Sequence, residues 1–152
     1  MKRWCLFFQT IIFLVVLHNT RSIFSKEDET KKLFKESYFN YEQLTDYLHY
    51  MSEKYSNIIK VHSIGKSVQN RNLWVVEINT DAENRSLLKP MFKYVANMHG
   101  DEAVGRQLLV FLLDYLLENY GKDSRITKLM NETNIFLMPS VNPDGFENSQ
   151  VQ

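Results

Sequence analysis

The 152-residue chain has few of the residues that mark unusual classes of protein: one cysteine, three prolines and five glycines. So little glycine and proline excludes a collagen-like or low-complexity chain. A single cysteine excludes a scaffold held together by internal disulfides. The hydrophobic content of 44% and the charged content of 24% are those of an ordinary globular domain with one hydrophobic core.

An excess of charge of one sign is also missing, because 18 basic residues balance 18 acidic ones. If residues 1–22 are removed on export, 15 basic and 18 acidic residues remain, a net charge of −3. A nucleic-acid partner bound through a basic face is therefore not expected.

The one long apolar run of the sequence lies near the N-terminus. Trp4 to Leu17 hold 12 apolar residues in 14, after the basic pair Lys2 and Arg3. This layout predicts a signal peptide over residues 1–22, cleaved after Ser22, and entry into the secretory pathway towards the extracellular space. A 14-residue helix rises about 21 Å against a hydrocarbon core of roughly 30 Å, so an uncleaved anchor is the weaker alternative. No later run is long enough to cross a bilayer, so we expect no membrane anchor in this chain.

The part that follows the signal peptide divides into two regions. Residues 23–37 carry eight charges that sum to zero, and we expect a mobile lead-in there. Residues 38–152 are expected to form the folded domain. Two sequons, beginning at Asn84 and Asn131, would accept glycans in the secretory pathway.

Helical and strand patterns alternate along residues 38–152. Apolar spacing predicts a helix over Tyr41–Tyr55, with Asn40 and Gln43 forming a capping box. Apolar and β-branched runs predict strands over 58–64, 73–78, 91–98 and 135–138. The first two strands are expected to form a hairpin. Two more helices are predicted over 104–120 and 123–130, and a turn-rich loop over 139–145. This order predicts an α/β fold with helices packed on a β-sheet.

The helix predicted over 104–120 is apolar on most sides and would need burial in a larger body. Aromatic residues recur at helical or strand spacing elsewhere in the chain too. We expect four of them to lie in the core: Trp74, Tyr94, Phe111 and Tyr115.

His99 and Glu102 stand three residues apart, where the third predicted strand gives way to the long helix. A catalytic zinc ion takes three N or O ligands and keeps a position for water, and this spacing lets both side chains reach one ion. In the alternative interpretation, Asp101 and Glu102 stabilise the helix N-terminus and His99 is an ordinary strand-end residue. Ligands of α/β proteins usually bind at the carboxyl ends of strands, which supports the zinc interpretation, and both interpretations stay open at this point.

Several motifs in the same order resemble one known family. Residues 97–106 (NMHGDEAVGR), the leucine-rich helix after them, and residues 138–147 (MPSVNPDGFE) look like the N-terminal half of a zinc metallocarboxypeptidase of the regulatory N/E branch. The resemblance extends over about residues 38–147. It implies a truncated zinc-carboxypeptidase-like fold with helices on a mixed β-sheet. It also implies a Zn²⁺ cofactor held by His99 and Glu102 as two of three ligands, and removal of C-terminal Lys or Arg from peptides or proteins.

The rest of the family's catalytic machinery has no counterpart in this sequence. In the family a third histidine ligand, a carbonyl-polarising arginine, an Asn-Arg pair and a catalytic glutamate all follow the Asn-Pro-Asp-Gly motif. The resemblance therefore assigns no catalytic and no substrate-binding residue here, and His49 and His62 are expected to be structural. Two function classes stay open: a secreted zinc carboxypeptidase whose 152-residue part is inactive alone, and a secreted non-catalytic binding protein or short isoform.

Two further features have competing interpretations. Arg106 follows Glu102 by one helical turn, so it could pair with Glu102 or Asp101, or be a solvated surface residue. The motif at residues 142–145 (NPDG) has the composition of a β-turn. The resemblance instead implies that this segment shapes the floor of the cleft.

Overall fold

The computed structural model describes residues 38–80 and 88–149. In chain order they form α1 (Tyr41–Lys54), β1 (Ile59–Lys66), β2 (Asn72–Ile78), β3 (Met91–Val95), α2 (Ala103–Asn119), α3 (Ser124–Glu132), β4 (Asn134–Met138) and α4 (Pro143–Ser149). The predicted order of helices and strands is confirmed, with α4 as an addition. The expected signal peptide, the lead-in over 23–37 and the sequon at Asn84 lie outside the described residues.

Helix α1 begins where the sequence places its capping box. Asn40 Oδ1 accepts a hydrogen bond from the Gln43 amide at 2.8 Å, and Gln43 Oε1 accepts one from the Asn40 amide at 3.0 Å. Both bonds satisfy amides that have no partner within the helix. The cap therefore fixes the start of α1 and confirms the prediction.

The four strands form one mixed sheet in the order β1-β2-β4-β3. β1 and β2 form the predicted antiparallel hairpin, β2 pairs antiparallel with β4, and β4 pairs parallel with β3. Because β3 and β4 run in the same direction, their carboxyl ends lie side by side. The loops that follow Val95 and Met138 therefore leave the sheet at the same edge.

The core lies between one face of the sheet and the helices. Four residues of β2 and β4 on that face are almost fully buried: Val76, Ile78, Ile135 and Leu137. Helix α1 joins this face through Trp74, whose indole donates to Thr45 Oγ1 at 2.9 Å. Tyr47 then links α1 to α2 by donating to Asp114 Oδ1 at 3.3 Å, and burial together with Asp114 raises the pKa of this phenol.

Helix α2 is apolar on two sides, and only one of them is buried among the described residues. One side is buried through Leu109, Val110 and Leu113, whereas a second apolar row is 42–60% exposed: Val104, Leu108, Phe111 and Tyr115. The expectation that Tyr94, Phe111 and Tyr115 lie in the core is wrong, and Trp74 is half-buried. Apolar spacing identifies a surface able to be buried, but it does not tell which described element covers that surface. Neither α2 nor any other helix of residues 38–80 and 88–149 is both long and apolar enough to cross a membrane.

The loop predicted over residues 139–145 is shorter than expected, because α4 begins at Pro143. Asn142 caps this helix: its Oδ1 accepts from the Gly145 amide at 2.9 Å, and its carbonyl accepts from the Phe146 amide at 3.1 Å. Asn at the N-cap and Pro at the first helical position favour a helix start as strongly as they favour a turn. The β-turn interpretation of residues 142–145 is therefore wrong.

Candidate metal centre

The loop after β3 begins with a left-handed residue. Asn97 has a φ of +56°, a conformation that Asn tolerates better than most residues. The turn lets the chain fold back, and Asn97 Nδ2 donates to the carbonyl oxygens of His99 at 2.9 Å and Gly100 at 3.2 Å. Local sequence thus closes a compact turn at the carboxyl edge of the sheet.

This loop is held against the segment that follows β4. The β3–β4 ladder continues past both strands, since the Ala96 amide donates to Met138 O at 3.0 Å and the Val141 amide donates to Ala96 O at 3.1 Å. Asn142 Nδ2 also donates to Met98 O at 3.1 Å. The two loops therefore form one unit at the edge of the sheet.

The structure brings His99 and Glu102 together at the surface of that unit. The His99 Nδ1 and Glu102 Oε1 atoms are 3.2 Å apart, and the two side chains are 71% and 64% exposed. Glu102 occupies the N-cap position of α2, but its side chain makes no capping hydrogen bond. The carboxylate faces His99 instead, which does not favour a purely helix-stabilising role for Glu102.

The donor pair fits a zinc ion. Zinc bonds to histidine nitrogen and carboxylate oxygen are both about 2.1 Å long, so two tetrahedral ligands lie roughly 3.4 Å apart. The observed 3.2 Å between Nδ1 and Oε1 is close to that separation. Within residues 38–80 and 88–149, no cluster of three or more His, Cys, Asp or Glu side chains is placed to hold a metal. The described residues therefore offer two corners of a tetrahedron.

The other two candidate histidines lie away from this pair. His49 packs edge-on against Trp74, with ring centroids 5.0 Å apart, in the structural role that the sequence predicts. His62 pairs with Val75 in the hairpin and lines an open groove with Glu77 and Phe136 on the sheet face opposite to Val76.

Arg106 takes neither of the roles expected from the sequence. It is 2% exposed, donates to Phe39 O and to Asn40 O at 2.6 and 3.2 Å, and stacks on the Phe146 ring at 3.9 Å. Burial lowers the pKa of this guanidinium to about 10, against the opposing charge of Glu147. Pairing with Glu102 was one of the alternatives that the sequence left open, but Glu102 precedes the helix with a ψ of +67°, so the helical spacing behind it does not apply.

Asp144 is a residue of the site region that sequence reasoning missed. Its carboxylate accepts from Ser67 Oγ at 2.8 Å, from the Gln69 amide at 2.9 Å and from Arg71 Nη1 at 2.7 Å. Desolvation raises the pKa of Asp144, but the bonds from Gln69, Arg71 and Ser67 outweigh it, so this pKa lies below its ordinary value. Asp144 thereby fastens α4 to the β1–β2 turn.

A second contact also ties α4 to α1. The Tyr41 amide donates to Glu147 Oε1 at 2.7 Å, and the Arg71 guanidinium lies over the Tyr41 ring at 5.7 Å. Tyr41 and Glu147 are 106 residues apart in the chain, and Tyr41 and Arg71 are 30 residues apart, so no local pattern could have identified these contacts. Helix α4 therefore joins α1, the hairpin turn and the His99 loop.

Comparison with known proteins identifies the family. The zinc carboxypeptidase family profile matches residues 44–152. Mouse carboxypeptidase M is 51% identical over 110 residues, which are 72% of this chain and 25% of that protein. Carboxypeptidase D of Drosophila melanogaster is 46% identical over 125 residues, 82% of this chain and 9% of that protein. The chain belongs to the zinc carboxypeptidase family, and it spans a quarter or less of the length of these relatives.

Solved structures support the same fold. Thrombin activatable fibrinolysis inhibitor superposes with a TM-score of 0.67 at 21% identity, covering 75% of this chain and 28% of that one. Carboxypeptidase A of Helicoverpa armigera gives a TM-score of 0.68 at 23% identity, with 75% and 27% covered. The predicted mixed sheet with packed helices is confirmed as part of a carboxypeptidase domain.

Proposed function

We propose that the protein to which this chain belongs is a metallocarboxypeptidase that removes C-terminal residues from peptides or proteins, with His99 and Glu102 as two zinc ligands. The observation that carries the proposal is the 3.2 Å separation of His99 Nδ1 and Glu102 Oε1 in a member of the zinc carboxypeptidase family. Zinc at such a site lowers the pKa of bound water and polarises a carbonyl oxygen.

The chain's own contribution is to present and orient the two ligands. His99 and Glu102 lie at opposite ends of a four-residue turn, and the 3.2 Å bond from the Glu102 amide to His99 O keeps that turn closed. Their high exposure leaves room for further ligands and for a substrate to approach. Helix α4 and its N-cap contact the same loop: Asn142 donates to Met98 O, and the backbone of Gly145 packs against Gly100.

The substrate class of the proposal is a C-terminal Lys or Arg residue. The support is the likeness of the motifs at 97–106 and 138–147 to the regulatory branch. The resemblance assigns recognition of that basic side chain to no residue of this chain.

The secretory location is a second part of the proposal. The layout of residues 1–22 supports export, and export would make the sequons acceptors for glycans. Asn131 is exposed in α3, with its Oδ1 accepting from Tyr120 Oη at 3.0 Å, so a glycan there has access to solvent. A mass shift that disappears on glycosidase treatment, and that is reduced in Asn131→Gln, would support this site.

The 152-residue chain by itself is proposed to be inactive, because its described residues contribute two ligands and no cluster of three. A second candidate function is that of a secreted binding protein. The observation favouring it is the exposed apolar row of α2, from Val104 to Tyr115, which is able to contact a partner.

A carboxypeptidase assay tests the proposal. Release of C-terminal Arg from a short peptide is measured for the complete secreted gene product and for the 152-residue chain. We expect turnover in the complete product that is lost with a chelator and in His99→Ala, and none in the chain alone. Absence of turnover in the complete product, together with a stop codon directly after the codon for Gln152, would favour the second candidate function, a secreted binding protein.

A further inference from the structure

The side chain of Asn97 contacts the backbone of the turn that carries His99 and Glu102. The residue is 4% exposed, and its Nδ2 donates to His99 O at 2.9 Å and Gly100 O at 3.2 Å, with a longer contact to Glu102 O at 3.4 Å. A single buried amide group thus contacts the main chain of both residues that face the proposed zinc position.

The other end of the same carboxamide is fixed by the segment that follows β4. Ser140, which is 5% exposed, donates from Oγ to Asn97 Oδ1 at 2.7 Å. Carbonyl oxygens surround Nδ2 and a hydroxyl contacts Oδ1, so one orientation of the amide satisfies all of these groups. The hydroxyl of Ser140 therefore holds the donor of Asn97 towards the loop.

We infer that Asn97 is a positioning residue for the two metal ligands and that Ser140 orients it. The inference rests on the proposed function, since it takes His99 and Glu102 to be zinc ligands. Residues that hold ligands from behind typically contribute 10–100-fold to metal affinity. Asn97 contacts the turn directly at 2.9 Å, and Ser140 acts on the turn through its 2.7 Å hydrogen bond to Asn97.

Two substitutions separate the amide from the backbone conformation. Asn97→Asp keeps the shape and the tolerance for the φ of +56°, but it replaces the donor by an acceptor facing carbonyl oxygens. Asn97→Gly keeps the backbone conformation and removes the side chain. Both substitutions should weaken zinc binding and speed amide exchange in the loop. If Asn97 served only to adopt the positive φ, Asn97→Gly would leave zinc affinity and exchange unchanged.

The test measures zinc affinity and amide hydrogen exchange in the complete secreted gene product. Zinc affinity is obtained by competition with a chromophoric chelator, and exchange is followed in peptides covering residues 96–103. We expect Asn97→Asp to weaken zinc binding about 10–100-fold and to speed exchange at the Glu102 amide. Ser140→Ala should act in the same direction by a smaller factor. If Asn97→Asp is not secreted, zinc affinity and exchange in Asn97→Gly and Ser140→Ala are compared with the unaltered protein in the same way.

Asn134→Asp is the matched control. Asn134 is 1% exposed and lies at the opposite end of β4 from Ser140, so the variant buries the same carboxylate without touching the loop. Its zinc affinity should stay at the unaltered value. Equal losses of zinc affinity in Asn97→Asp and Asn134→Asp would overturn the inference. Unchanged zinc affinity and unchanged exchange in Asn97→Asp would overturn it as well. Neither result would contradict the proposal that His99 and Glu102 bind zinc.

Failure of the zinc site itself gives a different result. In that case the unaltered protein binds zinc no better than His99→Ala. The exchange measurement then still decides the role of Asn97: faster exchange at residues 99–103 in Asn97→Asp supports it as the residue that holds the turn, and unchanged exchange rejects it.

Discussion

Gly100 and Gly145 are in direct backbone contact. A Cβ atom placed on Gly100 would lie 2.1 Å from the carbonyl carbon of Gly145. The hydroxyl of Ser149 adds a hydrogen bond to Gly100 O at 3.3 Å. Helix α4 thus forms the support on which the turn of His99 and Glu102 rests.

This contact predicts that Gly100→Ala is strongly destabilising. The added methyl group meets backbone rather than a flexible side chain, so we expect the free energy of unfolding to fall by about 3 kcal/mol. Gly105→Ala is the control, because its Cβ would meet only Ala96 Cβ at 3.3 Å and alanine favours the helix. Urea unfolding of the complete gene product measures both. Equal midpoints for Gly100→Ala and Gly105→Ala would contradict the close packing.

The hydrogen bonds that the Asp144 carboxylate accepts predict that the stability of the fold depends on pH. Its pKa is lower in the folded state than the unfolded value of about 3.9, so the ionised carboxylate stabilises the fold above that pH. The contribution disappears as the pH falls through the lowered folded pKa. Asp144→Asn should therefore cost about 1–2 kcal/mol at neutral pH and almost nothing at strongly acid pH.

Thermal unfolding as a function of pH checks this expectation. Asp46→Asn, at an exposed position of α1, should match the unaltered protein at every pH. A loss in Asp144→Asn that is the same at neutral and at strongly acid pH would show that the charge of Asp144 is not what stabilises the turn.

The burial of Arg106 predicts that Arg106→Met lowers stability without affecting metal binding. The variant loses charge-assisted hydrogen bonds to Phe39 O and Asn40 O, which should cost about 2–3 kcal/mol. Arg125→Met, on the exposed surface of α3, should change stability by less than about 0.5 kcal/mol. Zinc content should stay unchanged in both, and a selective loss of zinc in Arg106→Met would favour the pairing with Glu102 that the sequence left open.

Local features of the fold were predictable, whereas long-range ones were not. The capping box of Asn40 and Gln43 and the convergence of His99 with Glu102 depend on residues three positions apart. Arg106 and Asp144, in contrast, meet partners 66 to 77 residues away, and spacing along the chain contains no signal for such contacts. Helix α4 was missed because Asn and Pro favour a turn and a helix start by the same backbone preferences.

The exposed apolar row of α2 predicts that residues 23–152 do not fold stably alone. A few hundred square ångströms of apolar surface left in water correspond to about 5–10 kcal/mol, comparable to the whole stability of a domain. We expect an aggregated or molten chain that binds an apolar dye and shows no cooperative thermal transition. A soluble monomer with a sharp transition would contradict this and favour the binding-protein function.

Zinc content of the purified, complete gene product tests the central claim most directly. We expect one zinc per chain in the unaltered protein and in the controls His49→Ala and His62→Ala, whose side chains lie away from the site. His99→Ala and Glu102→Ala should each lose most of the metal after dialysis against a weak chelator, because removing a ligand lowers affinity steeply. Full zinc content in both His99→Ala and Glu102→Ala would contradict the assignment of these residues as zinc ligands.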